Sequence, residues 1–124
     1  MITVLILEDD EEQLQKYKDL AMSQNYLVYG TGYLEEGLKF ISEVHTNGVI
    51  CDMTLYDGTG LQFVGRARAE HQYHRPILLH SGMQDHNIDL LEQLIIAMDV
   101  GNDIDVCKKQ EDMDYMLRWL ERLA

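Results

Sequence analysis

The chain has 124 residues, 46% of them apolar and 26% charged, which is the balance of a globular protein and enough for one core of ordinary size. Its formal net charge of −12 argues against nucleic acid or an anionic membrane as a direct partner, since both demand basic patches, and favours cations and basic protein surfaces. No basic leader opens the sequence and no apolar run approaches the roughly 18 residues of a membrane span, so a single cytosolic domain over 1–124 is expected.

Residues 2 to 7, Ile-Thr-Val-Leu-Ile-Leu, are almost continuously apolar and branched, which predicts a strand covered on both faces. It ends in acid, Glu8-Asp9-Asp10-Glu11-Glu12. The last of these begin a helix with Leu14, Tyr17, Leu20 and Ala21 at helical spacing, and their charge complements its positive N-terminal end. Asn25 closes that helix, Tyr26 to Tyr29 read as a second strand, and Gly30-Thr31-Gly32 as a turn. The spacing of Gly30, Gly32 and Gly37 matches neither a dinucleotide fingerprint nor a Walker loop. Leu34, Leu38, Ile41 and Val44 then form the stripe of a second helix, which ends before Asn47-Gly48.

Val49-Ile50-Cys51 is a short apolar run that stops on Asp52, and a loop with Asp57, Gly58 and Gly60 follows. A carboxylate at the end of a buried strand is costly unless something compensates it. A third helix is expected over 61 to 73, buried through Leu61, Phe63, Val64 and Ala67. His71 and His74 share a face near its end but lack a third ligand, and read as solvated polar residues. Pro76 opens a fourth strand, Ile77 to Ser81, at a position where proline is tolerated. After a loop over 82 to 87 comes a long helix with Leu90, Leu91, Leu94, Ile95 and Met98 on its buried side, stopped by Gly101-Asn102. Ile104 to Cys107 make a fifth strand ending at Lys108-Lys109. The final helix, 111 to 123, packs through Met113, Met116, Leu117 and Leu120. Cys51 and Cys107 each lie in an apolar strand and read as small packed hydrophobes.

Strands and helices in strict alternation predict an α/β fold with a parallel sheet, right-handed crossovers and helices on both faces. The ligand site of such a sheet lies beyond the carboxyl ends of its strands. The residues that collect there are Asp9 and Asp10 from the first strand, Asp52 from the third, Ser81 from the fourth and Lys108 from the fifth. Crowded carboxylates repel, and a hard divalent cation such as Mg2+ relieves them while leaving coordination sites for phosphate. Lys108 adds a point charge and Ser81 a hydroxyl, so the set suits phosphoryl transfer onto Asp52 as nucleophile.

With those residues in that order the chain resembles, along its whole length, the receiver domain of bacterial two-component response regulators. The acidic pair Asp9-Asp10, Asp52 with Leu55-x-Asp57-Gly58-x-Gly60, Ser81 and Lys108 carry the likeness. It implies a flavodoxin-like, CheY-like sandwich with strand order 2-1-3-4-5, and a signalling module rather than a substrate-turning enzyme. It implies further that Asp52 accepts a phosphoryl group from a histidine kinase or phosphotransfer protein. Asp10, Asp52 and the carbonyl of Thr54 would ligate Mg2+, with Asp9 helping through water. Ser81 and Lys108 would bind the phosphoryl group, and Ser81 would move towards it on activation. An effector or output protein would read the result, and a homodimer could form through the face of the fourth helix, fifth strand and fifth helix.

Three departures bear on that readout. Asp105 stands where receivers carry an aromatic switch residue, and Lys109 replaces the usual proline, so no cis peptide is expected there. The longer spacing from Ser81 to Lys108, with Leu79-His80-Ser81-Gly82, is similar to receivers joined to cyclic-di-GMP phosphodiesterase (EAL) domains. Other classes fit less of the chain. A haloacid dehalogenase-type phosphatase wants a second aspartate where Thr54 stands, and a flavin-binding protein wants a phosphate loop the first turn lacks. A receiver that signals by binding alone is suggested only by Asp105 and Lys109.

Overall fold

Runs of branched residues that each end near an acidic or polar residue become the strands of one parallel sheet. The computed structural model describes residues 1–81, 85–98, 103–108 and 113–124. Its elements are β1 (Thr3–Leu7), α1 (Glu11–Met22), β2 (Leu27–Thr31), α2 (Leu34–Glu43), β3 (Gly48–Asp52), β4 (Thr54–Leu55), β5 (Gly58–Thr59), α3 (Gly60–Glu70), β6 (Ile77–Ser81), α4 (Asp85–Met98), β7 (Ile104–Lys108) and α5 (Met113–Glu121). The main sheet has the order β2-β1-β3-β6-β7, with every neighbouring pair parallel. This is the expected 2-1-3-4-5 order once β4 and β5 are set aside, since those two-residue strands pair only with each other, antiparallel.

Both faces of the sheet are covered, which is why β1 and β3 read as unbroken apolar runs. Leu5, Leu7, Val49, Cys51 and Leu79 pack against α2, α3 and α4 through Leu34, Leu38, Phe63, Val64, Leu91 and Ile95. Val4, Ile6, Ile50, Leu78 and Cys107 face α1 and α5 through Tyr17, Ala21, Met116, Trp119 and Leu120. Cys51 and Cys107 are both buried, and neither is in a disulfide. Among the described residues no helix is long and apolar enough to cross a membrane.

Several local expectations are corrected. Strand β2 runs on through Gly30 and Thr31, which pair with Ile6 and Leu7 rather than forming a turn. A Cβ on Gly30 would stand 2.6 Å from Lys18 Cε and 2.8 Å from Leu14 Cδ1, so the glycine marks the close approach of α1. Val44 falls outside the stripe of α2: it is the extended C-cap, and exposed. Helix α3 stops at Glu70 because the chain turns at Gln72, whose φ is 54°, and Tyr73 N–H returns to the Ala67 carbonyl at 3.0 Å. On α4 Leu91 and Ile95 are buried but Leu94 and Met98 are exposed, so its core stripe is narrower than the pattern suggests. On α5 Met113 is exposed, and Trp119 is the larger anchor. Asn25 closes the turn after α1 with φ 64°, as its residue type predicts. The loop expected over 82 to 87 is shorter, because α4 already begins at Asp85. The expected stop at Gly101-Asn102, residues 82 to 84 of that loop, residues 111 and 112 of the last helix, and Lys109 lie outside the described residues.

Tyr73 links the C-terminal end of α3 to the loop before β3, its hydroxyl donating to the Thr46 carbonyl at 3.1 Å. Burial pushes its phenol well above the ordinary 10.0, and the same cause raises Tyr17. Above about pH 10 the unfolded chain loses these protons while the native chain keeps them, so their contribution is complete below that pH and is lost as pH rises. Urea unfolding midpoints should fall as pH rises past about 8, first through the buried Cys51 thiol, which burial also raises, and more steeply beyond about pH 10 through the two phenols. Tyr73→Phe should flatten that drop while costing about 1 kcal/mol at neutral pH.

Candidate active site at the carboxyl edge of the sheet

The site forms where β1 and β3 end side by side. Leaving β1, Glu8 keeps one more sheet bond, its N–H donating to the Thr31 carbonyl at 3.0 Å, and its side chain is buried. Asp52 closes β3 with 6% of its surface exposed, and its Oδ1 accepts the Met53 N–H at 2.7 Å. Asp9 is half-buried between them. Carboxylate oxygens of Glu8, Asp9 and Asp52 all lie within 4.8 Å of one another, the one such group of potential metal ligands among the described residues. His71 and His74 are no part of it.

Asp10 is placed differently from the sequence expectation. Helix α1 begins at Glu11, which makes Asp10 its N-cap, and Asp10 Oδ1 accepts the N–H groups of Glu12 at 2.9 Å and Gln13 at 3.1 Å. The acidic pair that joins Asp52 is therefore Glu8-Asp9, one residue earlier than Asp9-Asp10. A capping signal is present, an aspartate directly before an acidic first turn, and it asks for the same residue type as a site carboxylate does.

The loop after Asp52 is held at every step. Thr54, exposed, opens the small hairpin opposite Thr59. Thr59 and Gln62 form a reciprocal capping box at the start of α3. A Cβ on Gly60 would lie 2.6 Å from the Asp52 carbonyl, so only glycine lets α3 begin against the backbone of β3. Asp57 belongs to the scaffold: its carboxylate accepts Leu34 N–H at 2.5 Å and Glu35 N–H at 3.1 Å, capping α2, whose own N-cap Tyr33 makes no such bond. Tyr56 donates its hydroxyl to the Asp9 carbonyl at 2.7 Å, and its ring lies 4.9 Å from that of Tyr33.

Ser81 and Lys108 are the last residues of β6 and β7 and stand in register with each other; their side chains lie outside the described residues. His80, a strand residue that the sequence offers no site role, is buried in register with Asp52 and has its Nδ1 2.7 Å from the Tyr17 hydroxyl. Asp105 keeps a loose 3.9 Å contact with Arg122. It lines a groove of about 280 Å3 together with Ile95, Ile96, Ile104, Val106 and Tyr115. A larger cavity of about 470 Å3, between Leu34, Leu61, Gly65 and Met98, includes none of the three carboxylates.

No protein-family model matches the chain, and no curated protein matches it in sequence. Solved structures do. The receiver domain of the Francisella response regulator 1452 aligns with a TM-score of 0.81 at 18% identity, covering 99% of this chain and 96% of that one. The chemotaxis response regulator CheY4 of Vibrio cholerae gives 0.81 at 22% identity, covering 100% and 99%. The NtrC4 receiver domain, solved as a beryllofluoride-activated dimer, gives 0.81 at 18% identity over 99% and 96%. The chain thus has the flavodoxin-like, CheY-like fold from end to end.

The two caps can be separated from the acidic group by their energetics. Asp10→Ala and Asp57→Ala should each lower stability in urea by about 1 kcal/mol, and Asp10→Asn should restore nearly all of it, because asparagine caps as well as aspartate.

Proposed function

We propose that residues 1–124 are one receiver domain of a two-component response regulator and that Asp52 is its phosphoacceptor. The observation that carries the reading is the grouping of Glu8, Asp9 and Asp52 at the carboxyl edge of a sheet whose fold is that of receiver domains over the whole chain. Three carboxylates this close are a hard-cation donor set, so Glu8, Asp9 and Asp52, with the Thr54 carbonyl, would hold Mg2+. That ion supplies charge to offset the carboxylates and the incoming phosphoryl oxygens.

In the transfer, a carboxylate oxygen of Asp52 attacks phosphorus, the bond from phosphorus to the donor's imidazole nitrogen breaks, and the imidazole leaves with its electron pair. The Met53 N–H fixes the rotation of the Asp52 carboxylate. Ser81 and Lys108, ending the next two strands in register, would supply a hydroxyl and a cation for the phosphoryl oxygens. Asp10 enters this scheme only by capping α1.

The donor is a cytoplasmic histidine kinase or phosphotransfer protein, whose basic surface the net charge of −12 would attract. The chain acts as a signalling module, with self-phosphorylation and hydrolysis its only chemistry. Its output face is that of α4, β7 and α5, where exposed Ile96 lines the groove at Asp105. One output would be a homodimer through this face, and the dimeric state of the NtrC4 receiver supports dimerisation as such; an effector such as a fused EAL domain would be another.

Incubated with Mg2+ and a small acyl phosphate, the protein should gain one phosphoryl group by intact mass, and Asp52→Asn should gain none. Asp9→Asn should raise the Mg2+ concentration required by about tenfold or more, whereas Asp10→Asn should leave it unchanged. Phosphorylation that persists in Asp52→Asn would sink the assignment.

A further inference from the structure

The three carboxylates of the acidic group are not held equally. Glu8 and Asp52 are buried where β1 and β3 end, and the sheet ladder fixes their backbone. Asp9 is half-buried and lies in a gap between the two ladders. The last sheet bond on this strand belongs to the Glu8 N–H, and the first helical one to the Asp10 carbonyl, which accepts Leu14 N–H at 2.9 Å. Repulsion from two buried neighbours therefore acts on the member of the group whose backbone is least fixed, and pushes it towards solvent.

A side chain 47 residues away closes that gap: Tyr56 donates its hydroxyl to the Asp9 carbonyl at 2.7 Å. A carbonyl oxygen only accepts, so the direction of this bond is settled. The Tyr56 N–H donates in turn to the Gly32 carbonyl at 3.0 Å, which anchors the residue at its base as well as at its tip. A Cβ on Gly32 would stand 2.5 Å from Tyr56 Cε2, 2.7 Å from its Cδ2 and 3.2 Å from Asp9 Cα, so the bare glycine is the floor on which the ring and the Asp9 backbone meet. The Tyr33 ring packs on that of Tyr56 at 4.9 Å. The loops after β1, β2 and β3 converge on this one phenol. Tyr56 is largely exposed, and water could satisfy the same carbonyl at little cost in stability; what water cannot do is hold it in one place.

We propose that Tyr56 is a positioning residue for the cation site. By holding the Asp9 peptide against Gly32, it keeps the Asp9 carboxylate beside Glu8 and Asp52 before a cation arrives, and cation affinity rises because less reorganisation is left to binding. The role rests on the reading of Glu8, Asp9 and Asp52 as a hard-cation site.

The test titrates Mn2+ alone into the full chain and follows the free ion by its EPR signal, for wild type, Tyr56→Phe, Asp9→Asn and the double variant. Tyr56→Phe keeps the ring and loses only the hydroxyl, and should weaken Mn2+ binding about fivefold. Its metal-free unfolding temperature should stay within about 2 °C of wild type. In Asp9→Asn the neutral amide is no longer repelled by Glu8 and Asp52, so the same substitution should change affinity less than about twofold. Saturating Mg2+ should return Tyr56→Phe to the wild-type rate of phosphorylation by a small acyl phosphate. An unchanged affinity in Tyr56→Phe, the signature of a merely structural tyrosine, overturns the proposal. So does an equal loss in both backgrounds, which would mean that the hydroxyl acts through something other than Asp9. Should the wild type bind Mn2+ yet take no phosphoryl group, the receiver reading falls and the Mn2+ comparison still decides the role of Tyr56. A wild type that binds no Mn2+ at millimolar concentration removes the cation site, and the proposal with it.

Discussion

Like charges held together are the constraint on which the rest of this structure depends. Oxygens of Glu8, Asp9 and Asp52 within 4.8 Å of one another repel strongly where the surroundings are poor in water. The parallel sheet is what makes such crowding possible, because it ends every strand at one edge and fixes the ends by backbone register instead of by side-chain preference. Around that edge, backbone hydrogen bonds and a small residue do the holding: the Met53 N–H donates to Asp52, the Glu8 N–H donates to the Thr31 carbonyl, and the bare Cα of Gly60 lies beneath the Asp52 carbonyl. The core beneath both faces is correspondingly well filled, with Val4, Leu5, Ile6, Leu7 and Val49 fully buried.

How far the sequence discloses this arrangement depends on which kind of signal each residue carries. The strands are legible because branched runs with no polar partner can only be covered on both faces, and Asp52 is legible because it ends such a run abruptly. Asp10 misleads because capping and metal binding ask for the same residue type, and only the start of α1 at Glu11 separates them. Asp57 is ambiguous in the same way: it caps a helix that begins 23 residues earlier in the chain, a relation no local pattern can express. His80 is hidden among leucines, since its partner Tyr17 is 63 residues away. Helix α4 shows the limit of periodicity, because Leu91 and Ile95 are turned inward while Leu94 keeps the same spacing class and stays exposed.

The face of α4, β7 and α5 differs in chemistry from the site it adjoins. Asp105 meets Arg122 at 3.9 Å with both side chains largely exposed, an ion pair that solvent and salt weaken. The aromatic ring in that neighbourhood comes from α5, as Tyr115, and shares a groove with Ile96 and Val106. Burial, followed by the charge of Asp105, raises the Tyr115 phenol, so ring and carboxylate share one electrostatic environment. The surface therefore combines apolar area with negative charge, a pairing that selects against partners bearing either property alone.

The hairpin between β3 and α3 has a consequence for how such a chain can vary. Tyr56 reaches back to Asp9, Asp57 reaches across to α2, and Thr59 caps α3, so the segment between Asp52 and Gly60 has contacts in three directions and no slack. Most loops absorb insertions at little entropic expense. Here a single added residue would put Tyr56, Asp57 and Thr59 out of step with fixed partners at once. Length, more than composition, is what these contacts constrain in this segment.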